Sequence, residues 1–308
     1  MPSVSLSALA ALTLLMLGAP IVPGVISRTK AIFAGRRGSP VWQLYADLWK
    51  LARRGMVYST TTTWMFRLAP VILVATTLAA AALLPLDGRT AVLRFAGDAV
   101  AFAYLLALGR FAIVLAALDT GSSLEGMGAS REVAFASLVE LGLFIALAAL
   151  GLMAHDFSLS EMLGETPARL VTEGAATSSS VMLAASLFAL TLAECSRVPV
   201  DDPTTHLELT MIHEVMVLDH SGPDLAMILY ASALKLALFA GIIVSVLMPG
   251  PRSSGWLGLV SLFGSFIVVG VAVGVVESVV ARLRLPRVPL YLVAGSSLAL
   301  FGLILQFR

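Results

Sequence analysis

Cysteine is nearly absent from this chain. Its 308 residues include one, Cys195. A single thiol cannot close an internal disulfide or supply the four ligands of an iron–sulfur cluster. Charge is scarce as well: Asp, Glu, Lys and Arg make up 13% of the residues, about half the share in a soluble domain. Twenty basic residues stand against nineteen acidic ones, for a net charge of +1, so no global basic field is present to attract nucleic acid. Lysine is rarest among them, at three against seventeen arginines. The sequence has no P-loop, no Rossmann glycine pattern and no nucleophile with a neighbouring base. "GASRE" and "GRRGSP" are glycine-containing turns, too weak to read as phosphate sites. Met1 to Ile26 carries no Lys or Arg and no small-residue cleavage site. It therefore reads as a first transmembrane helix rather than a signal peptide.

What the chain does hold is apolar. Hydrophobic residues reach 58% and mean hydropathy is +0.94. They gather in blocks of about 18–25 residues, the length that crosses a hydrocarbon core roughly 30 Å thick. Eight spans are expected, at 4–26, 65–86, 99–118, 133–154, 178–195, 225–248, 257–281 and 289–307. The fold class is an all-α integral membrane protein. One domain over 1–308 forms a polytopic bundle of about eight transmembrane helices with an added amphipathic helix.

Basic residues divide unevenly between the two sets of loops, twelve against five. The positive-inside rule places the richer set in the cytoplasm and both termini outside the cell membrane. The first cytoplasmic loop, 27–64, contains "VWQLYADLWKLARRG". Val41, Leu44, Tyr45, Leu48, Leu51 and Ala52 recur there at helical spacing, flanked by Trp42 and Trp49. That pattern predicts an amphipathic helix lying on the cytoplasmic leaflet.

The segment 194–224 is different in kind. It holds seven acids, three histidines and one basic residue, Arg197. Asp201-Asp202-Pro203 is a helix-start signal, with an acid as cap and proline at the first helical position. It predicts a helix from Pro203 to about Leu218, with His206, His213 and His220 on one stripe and Glu208 and Asp219 on another. His213-Glu214 begins a zinc-protease pattern but fails it, because Val217 stands where the second histidine belongs. So many carboxylates at such density raise one another's pKa values.

Ionisable residues inside the spans are costly, and each is a functional candidate. They are Arg110, Glu140, Lys235 and Glu277, with Asp119 and Glu132 bordering the loop "LDTGSSLEGMGASRE". Glu140 has no basic helical neighbour, the nearest being Arg131, nine positions back. It is therefore the leading candidate for a proton relay.

These residues carry a resemblance. "RVPVDDPTTHLELTMIHEVM" followed by "SGPD" resembles the signature of one membrane subunit of energy-converting (group 4) nickel–iron hydrogenases and formate hydrogenlyases. That family is homologous to the heel subunit of respiratory complex I. "RRGSPVWQLYADLWKL", "FRLAP", "GRFAIVLAALDTGSSLEGMGASRE" and "ESVVARLRLPRVP" support it, in the family's order. The complex I version reads more like E-x-x-R-x-P-F-D, whereas here Pro199 is followed by Val200-Asp201-Asp202, which favours the hydrogenase branch.

The resemblance implies a subunit with no metal or redox cofactor of its own. It would hold a hydrogenase-like large subunit and a small iron–sulfur subunit, and adjoin antiporter-like membrane subunits. Nickel–iron and iron–sulfur groups would belong to those partners. Arg131, Arg197, Asp201, Asp202, His206, His213 and Asp219 are then expected at the docking and coupling loop. Asp119, Glu132, Glu140, Glu194, Glu208, Glu214, Lys235 and Glu277 are expected on the proton pathway. Two other readings are a complex I-type cavity for a quinone headgroup and a stand-alone secondary transporter.

Overall fold

The computed structural model describes residues 5–87, 91–164, 177–202, 211–249 and 256–307. Helices α1 (Leu6–Gly18) and α2 (Ile21–Phe33) run into each other at a bend of 48°. A short α3 (Gln43–Ala52) follows, then three long helices: α4 (Trp64–Leu83), α5 (Asp98–Asp119) and α6 (Ser123–Ala154). After the single turn α7 (Leu159–Met162) come α8 (Thr177–Glu194) and a second single turn, α9 (His213–Met216). The chain ends with α10 (Gly222–Leu247), α11 (Trp256–Val279) and α12 (Val288–Ile304). Among the described residues seven helices are long and apolar enough to cross a membrane, and the bent pair α1–α2 makes an eighth crossing if it is one span.

Sequence spacing predicts a single first span over 4–26, and Pro20 is why it is broken. Proline has no N–H to give to the carbonyl of Met16, so the helix ladder lapses there. In a bilayer such a carbonyl must find another donor. The hydroxyl of Tyr230, from α10, donates to Met16 O at 3.1 Å. The Tyr45 hydroxyl, from α3, donates to Leu17 O. Two tyrosines from distant helices thus hold the break.

The fourth span also departs from expectation. It begins at Ser123, not 133, so most of the glycine-bearing loop before it is helical. Ser122 is extended at the N-cap, with φ −77 and ψ 133, and from there the chain runs on to a left-handed His155.

Lipid tails are as apolar as leucine, so helices in a bilayer associate through close packing and polar stitches between them. Both are present. A Cβ on Gly109 would lie 2.6 Å from Thr76 Oγ1, so glycine lets α5 lie close on α4. Ser179 and Ser186, on α8, donate to Gly302 O and Gly295 O on α12, each at 2.7 Å. Tyr291 returns a bond from α12 to Ala189 O at 3.0 Å. α10 packs on α3, α4 and α8 and is the most enclosed of the spans, so its one lysine is carried to the middle of the molecule.

Candidate functional site

Four helices bring their charges to one place. Glu194 is the last residue of α8 and is buried. Its Oε2 accepts from Arg110 Nη1 of α5 at 2.7 Å, and its Oε1 from Lys235 Nζ of α10 at 3.3 Å. The other guanidinium nitrogen, Arg110 Nη2, donates to Glu140 of α6. Glu132, eight positions before Glu140, feels the charges of Arg110, Lys235, Glu194 and Asp201. The centre thus sets two cations against three carboxylates. A buried charge is tolerated when paired and hydrogen-bonded. Here the carboxylates outnumber the cations by one.

Glu140 has no basic neighbour on its own helix, yet it is paired. Its partner comes from another helix, thirty positions earlier in the chain, and helical spacing within α6 cannot reveal it. Glu140 is also less enclosed than the rest: its side chain keeps 39% exposure, against 5% for Glu194 and 10% for Arg110. It borders a cleft of about 430 Å³ between α5 and α6, with Tyr104, Phe111 and Ser137 at its edge. Glu194, not Glu140, occupies the central position among these charges.

A second cavity, about 130 Å³, leads from this centre to the loop. Glu194, Arg197, His213, Glu214 and Lys235 line its polar part, and Pro23, Leu44, Leu225, Ile228 and Leu229 its apolar part. Burial holds the His213 imidazole below its ordinary range, against the opposing pull of Glu214. The cavity brings titratable groups of the loop to the same water-sized space as Glu194 and Lys235.

The loop itself is pinned rather than loose. Asp201 is buried, at 1% exposure. It does not stand on the surface as a docking residue; it works inside the loop. Its Oδ2 accepts from the backbone of Ile212 at 3.2 Å and His213 at 3.1 Å, the N-terminus of α9. Its Oδ1 takes Arg282 Nη2 at 2.9 Å and the N–H of Asp202 at 2.9 Å. Asp201, of the pair expected to open a helix at Pro203, thus caps the turn that begins at His213. Of the predicted helix, the described part contains only His213–Met216. Residues 203–210, with His206 and Glu208, lie outside the described residues.

Arg131 Nη1 donates to Met211 O at 3.2 Å, tying α6 to the loop. Gly128 lets α9 close on α6, since a Cβ there would sit 2.3 Å from Val215 Cγ1. Arg197 reaches Glu277 of α11 at 3.5 Å, and Lys30 of α2 holds the same carboxylate at 2.9 Å.

Two predicted residues stand apart from the centre. Asp119 accepts from the backbone N–H and the hydroxyl of Thr63, at 2.6 and 3.0 Å, and steadies the start of α4. Asp219 is exposed and gives its N–H to Glu125 Oε1 at 3.2 Å. Sequence reasoning missed three buried acids, among them Asp224 in the first turn of α10, which accepts from the Tyr58 hydroxyl at 2.9 Å. Asp98, at the start of α5, takes Leu159 N–H at 2.6 Å and the Ser158 hydroxyl at 3.1 Å. Glu125 lies in the first turn of α6. The signal for Asp98 was an acid directly after a glycine at the head of an apolar run. Among the described residues no three His, Cys, Asp or Glu side chains gather as a metal site.

Fold and site together define a multi-pass membrane protein whose loop connects through a cavity to paired charges between its spans. The chain belongs to the NADH dehydrogenase family, whose model matches residues 6–305. It is 33% identical over 284 residues to hydrogenase-4 component C of Escherichia coli K12, covering 90% of this chain and 88% of that protein. To formate hydrogenlyase subunit 4 of the same organism it is 29% identical over 302 residues, covering 93% of each. Its fold matches a chain of the membrane-bound sulfane sulfur reductase, an archaeal respiratory membrane complex. The TM-score is 0.83 over 97% of this chain and 98% of that one, at 19% identity.

Proposed function

We propose that this chain is the membrane subunit of a redox-driven, ion-translocating hydrogenase-type complex in the cell membrane. It docks a peripheral arm through its acidic loop and passes the effect of redox chemistry to carboxylates between its spans. The relatives support this reading, being components of hydrogenase-4 and formate hydrogenlyase. One observation carries the mechanism: Glu194 is held between Arg110 and Lys235 at the head of a cavity that also holds His213 and Glu214. A shift of the loop that moves Glu194, at its start, against Lys235 or Arg110 changes how well Glu194 is paired, and thereby its hold on a proton. The proton leaves Glu194 toward Glu140 and the cleft between α5 and α6, past Arg110, which keeps its charge and holds the two carboxylates near each other.

In this reading the arm consists of a hydrogenase-like large subunit and a small iron–sulfur subunit, which carry nickel–iron and iron–sulfur groups. Antiporter-like subunits continue the path in the bilayer. The loop faces the cytoplasm and both termini lie outside. This subunit contributes no cofactor.

Proton uptake by sealed vesicles, normalised to redox turnover in the same vesicles, tests the reading. Glu194→Gln keeps the shape of the side chain but cannot release a proton. It is expected to leave the subunits associated and to lower the proton-to-turnover ratio severalfold. An unchanged ratio removes Glu194 from the pathway. A second reading, a quinone headgroup site, draws support from the apolar wall of the cavity at Pro23, Leu44 and Leu225. Turnover that requires added quinone would favour it.

A further inference from the structure

Helix α3 presents two unlike faces. Leu44, Leu48 and Leu51 are its half-buried row, and α3 packs on α10 and α2. The opposite row is exposed: Trp42 at 67%, Trp49 at 62%, and Arg53 eleven positions after Trp42. The Arg53 guanidinium lies over the Trp49 ring, 4.2 Å from its centre. Lys50 and Arg54 are exposed beside them. The acid of the helix, Asp47, is half-buried and takes a bond from Gln43 at 3.0 Å, so it does not offset the outer cations.

The depth of α3 decides what meets this outer row. Leu44 lines the same cavity as Leu225, Ile228 and Leu229 of α10, a span that begins at Gly222. Tyr45 reaches Leu17 O at the break between α1 and α2. α3 therefore lies level with the ends of spans, where tryptophan and tyrosine settle between headgroups and acyl chains. A tryptophan pair with cations at its margin suits a headgroup phosphate above and a lipid shoulder below.

We propose that the outer face of α3 binds anionic phospholipid. Lys50, Arg53 and Arg54 meet the headgroup phosphates, and Trp42 and Trp49 pack against the glycerol and upper acyl region. Each cation near such a surface strengthens attraction about fivefold, so three set anionic apart from neutral lipid by roughly a hundredfold.

The test uses the intact complex in its own membrane. Photo-activatable phosphatidylglycerol and photo-activatable phosphatidylcholine are supplied in turn, and adducts are mapped along residues 41–57. Phosphatidylglycerol is expected to label this segment strongly and phosphatidylcholine weakly. Lys50→Gln/Arg53→Gln/Arg54→Gln should cut the phosphatidylglycerol adducts by well over tenfold and leave the phosphatidylcholine ones unchanged. Arg53→Lys/Arg54→Lys should keep most of them, because the attraction follows charge. Equal labelling by the two lipids in the unaltered complex overturns the proposal. So does labelling that survives the triple substitution, or cross-linking of the outer row to a protein neighbour instead of lipid. Should the triple variant fail to assemble, the lipid preference of the unaltered complex decides alone.

Discussion

Arg110 holds the internal charges together, with Glu194 on one guanidinium nitrogen and Glu140 on the other. Replacing it with methionine keeps the bulk and strands Glu194, whose second partner, Lys235, is the longer contact at 3.3 Å. Breaking a buried pair in this way costs about 3–5 kcal/mol. Arg110→Met should therefore lower the thermal midpoint of the detergent-solubilised protein, or its yield. Arg110→Lys should fall between, because one ammonium cannot serve two carboxylates in a fork. His220 offers a pH test outside the spans. It is buried against Phe66, with ring centroids 4.0 Å apart, and neither ring nitrogen has a hydrogen-bond partner among the described residues. Burial lowers its pKa from 6.5 to about 4. The unfolded chain thus binds a proton more readily than the folded one between those values, and stability rises with pH across that window. It is complete above 6.5 and lost as pH falls toward 4. Thermal midpoints measured from acid to neutral pH should show this rise, and His220→Phe should flatten it.

Among the elements, α9 shows how a loop can be ordered without length. Four residues cannot sustain a helix by themselves. Asp201 supplies what propensity does not, accepting from Ile212 and His213 while paired with Arg282. Losing such a cap costs about 0.5–2 kcal/mol. Asp201→Ala should therefore speed hydrogen exchange of the 211–217 amides by about twofold to thirtyfold. Asp201→Asn, which can still accept from the backbone, should show most of the original protection. Equal rates in both variants would mean that Arg282, not the cap, orders the turn. The Asp201-Asp202-Pro203 sequence correctly announced a capping acid. The start of the expected helix lies at 203–210, outside the described residues; within them Asp201 caps the turn at His213.

For the molecule as a whole, the broken pair α1–α2 governs the number of crossings. Both halves lie along α11, which fits one bent span and eight crossings in all. An even number puts the two termini on the same side, and the proposed topology, from the distribution of basic residues, has that side outside. Reporter fusions at each end should agree. Fusions that report opposite sides would make the pair re-entrant and leave seven crossings. The multi-pass class, most span positions and the acid-rich character of 194–224 were legible because they rest on runs of apolar residues and on local composition. Bilayer thickness turns such runs directly into helices. Most of the candidate residues were legible too, because a charge in a span is conspicuous wherever it lies.

Their pairing was decided only in three dimensions. Arg110, Glu140, Glu194 and Lys235 sit on four different helices. A charge–charge energy depends on separation in space, and helix packing sets that separation. Sequence spacing therefore determined that this protein places charged residues within membrane-spanning helices. Packing determined that Glu194 rather than Glu140 stands at the centre, since α5, α8 and α10 meet at its carboxylate.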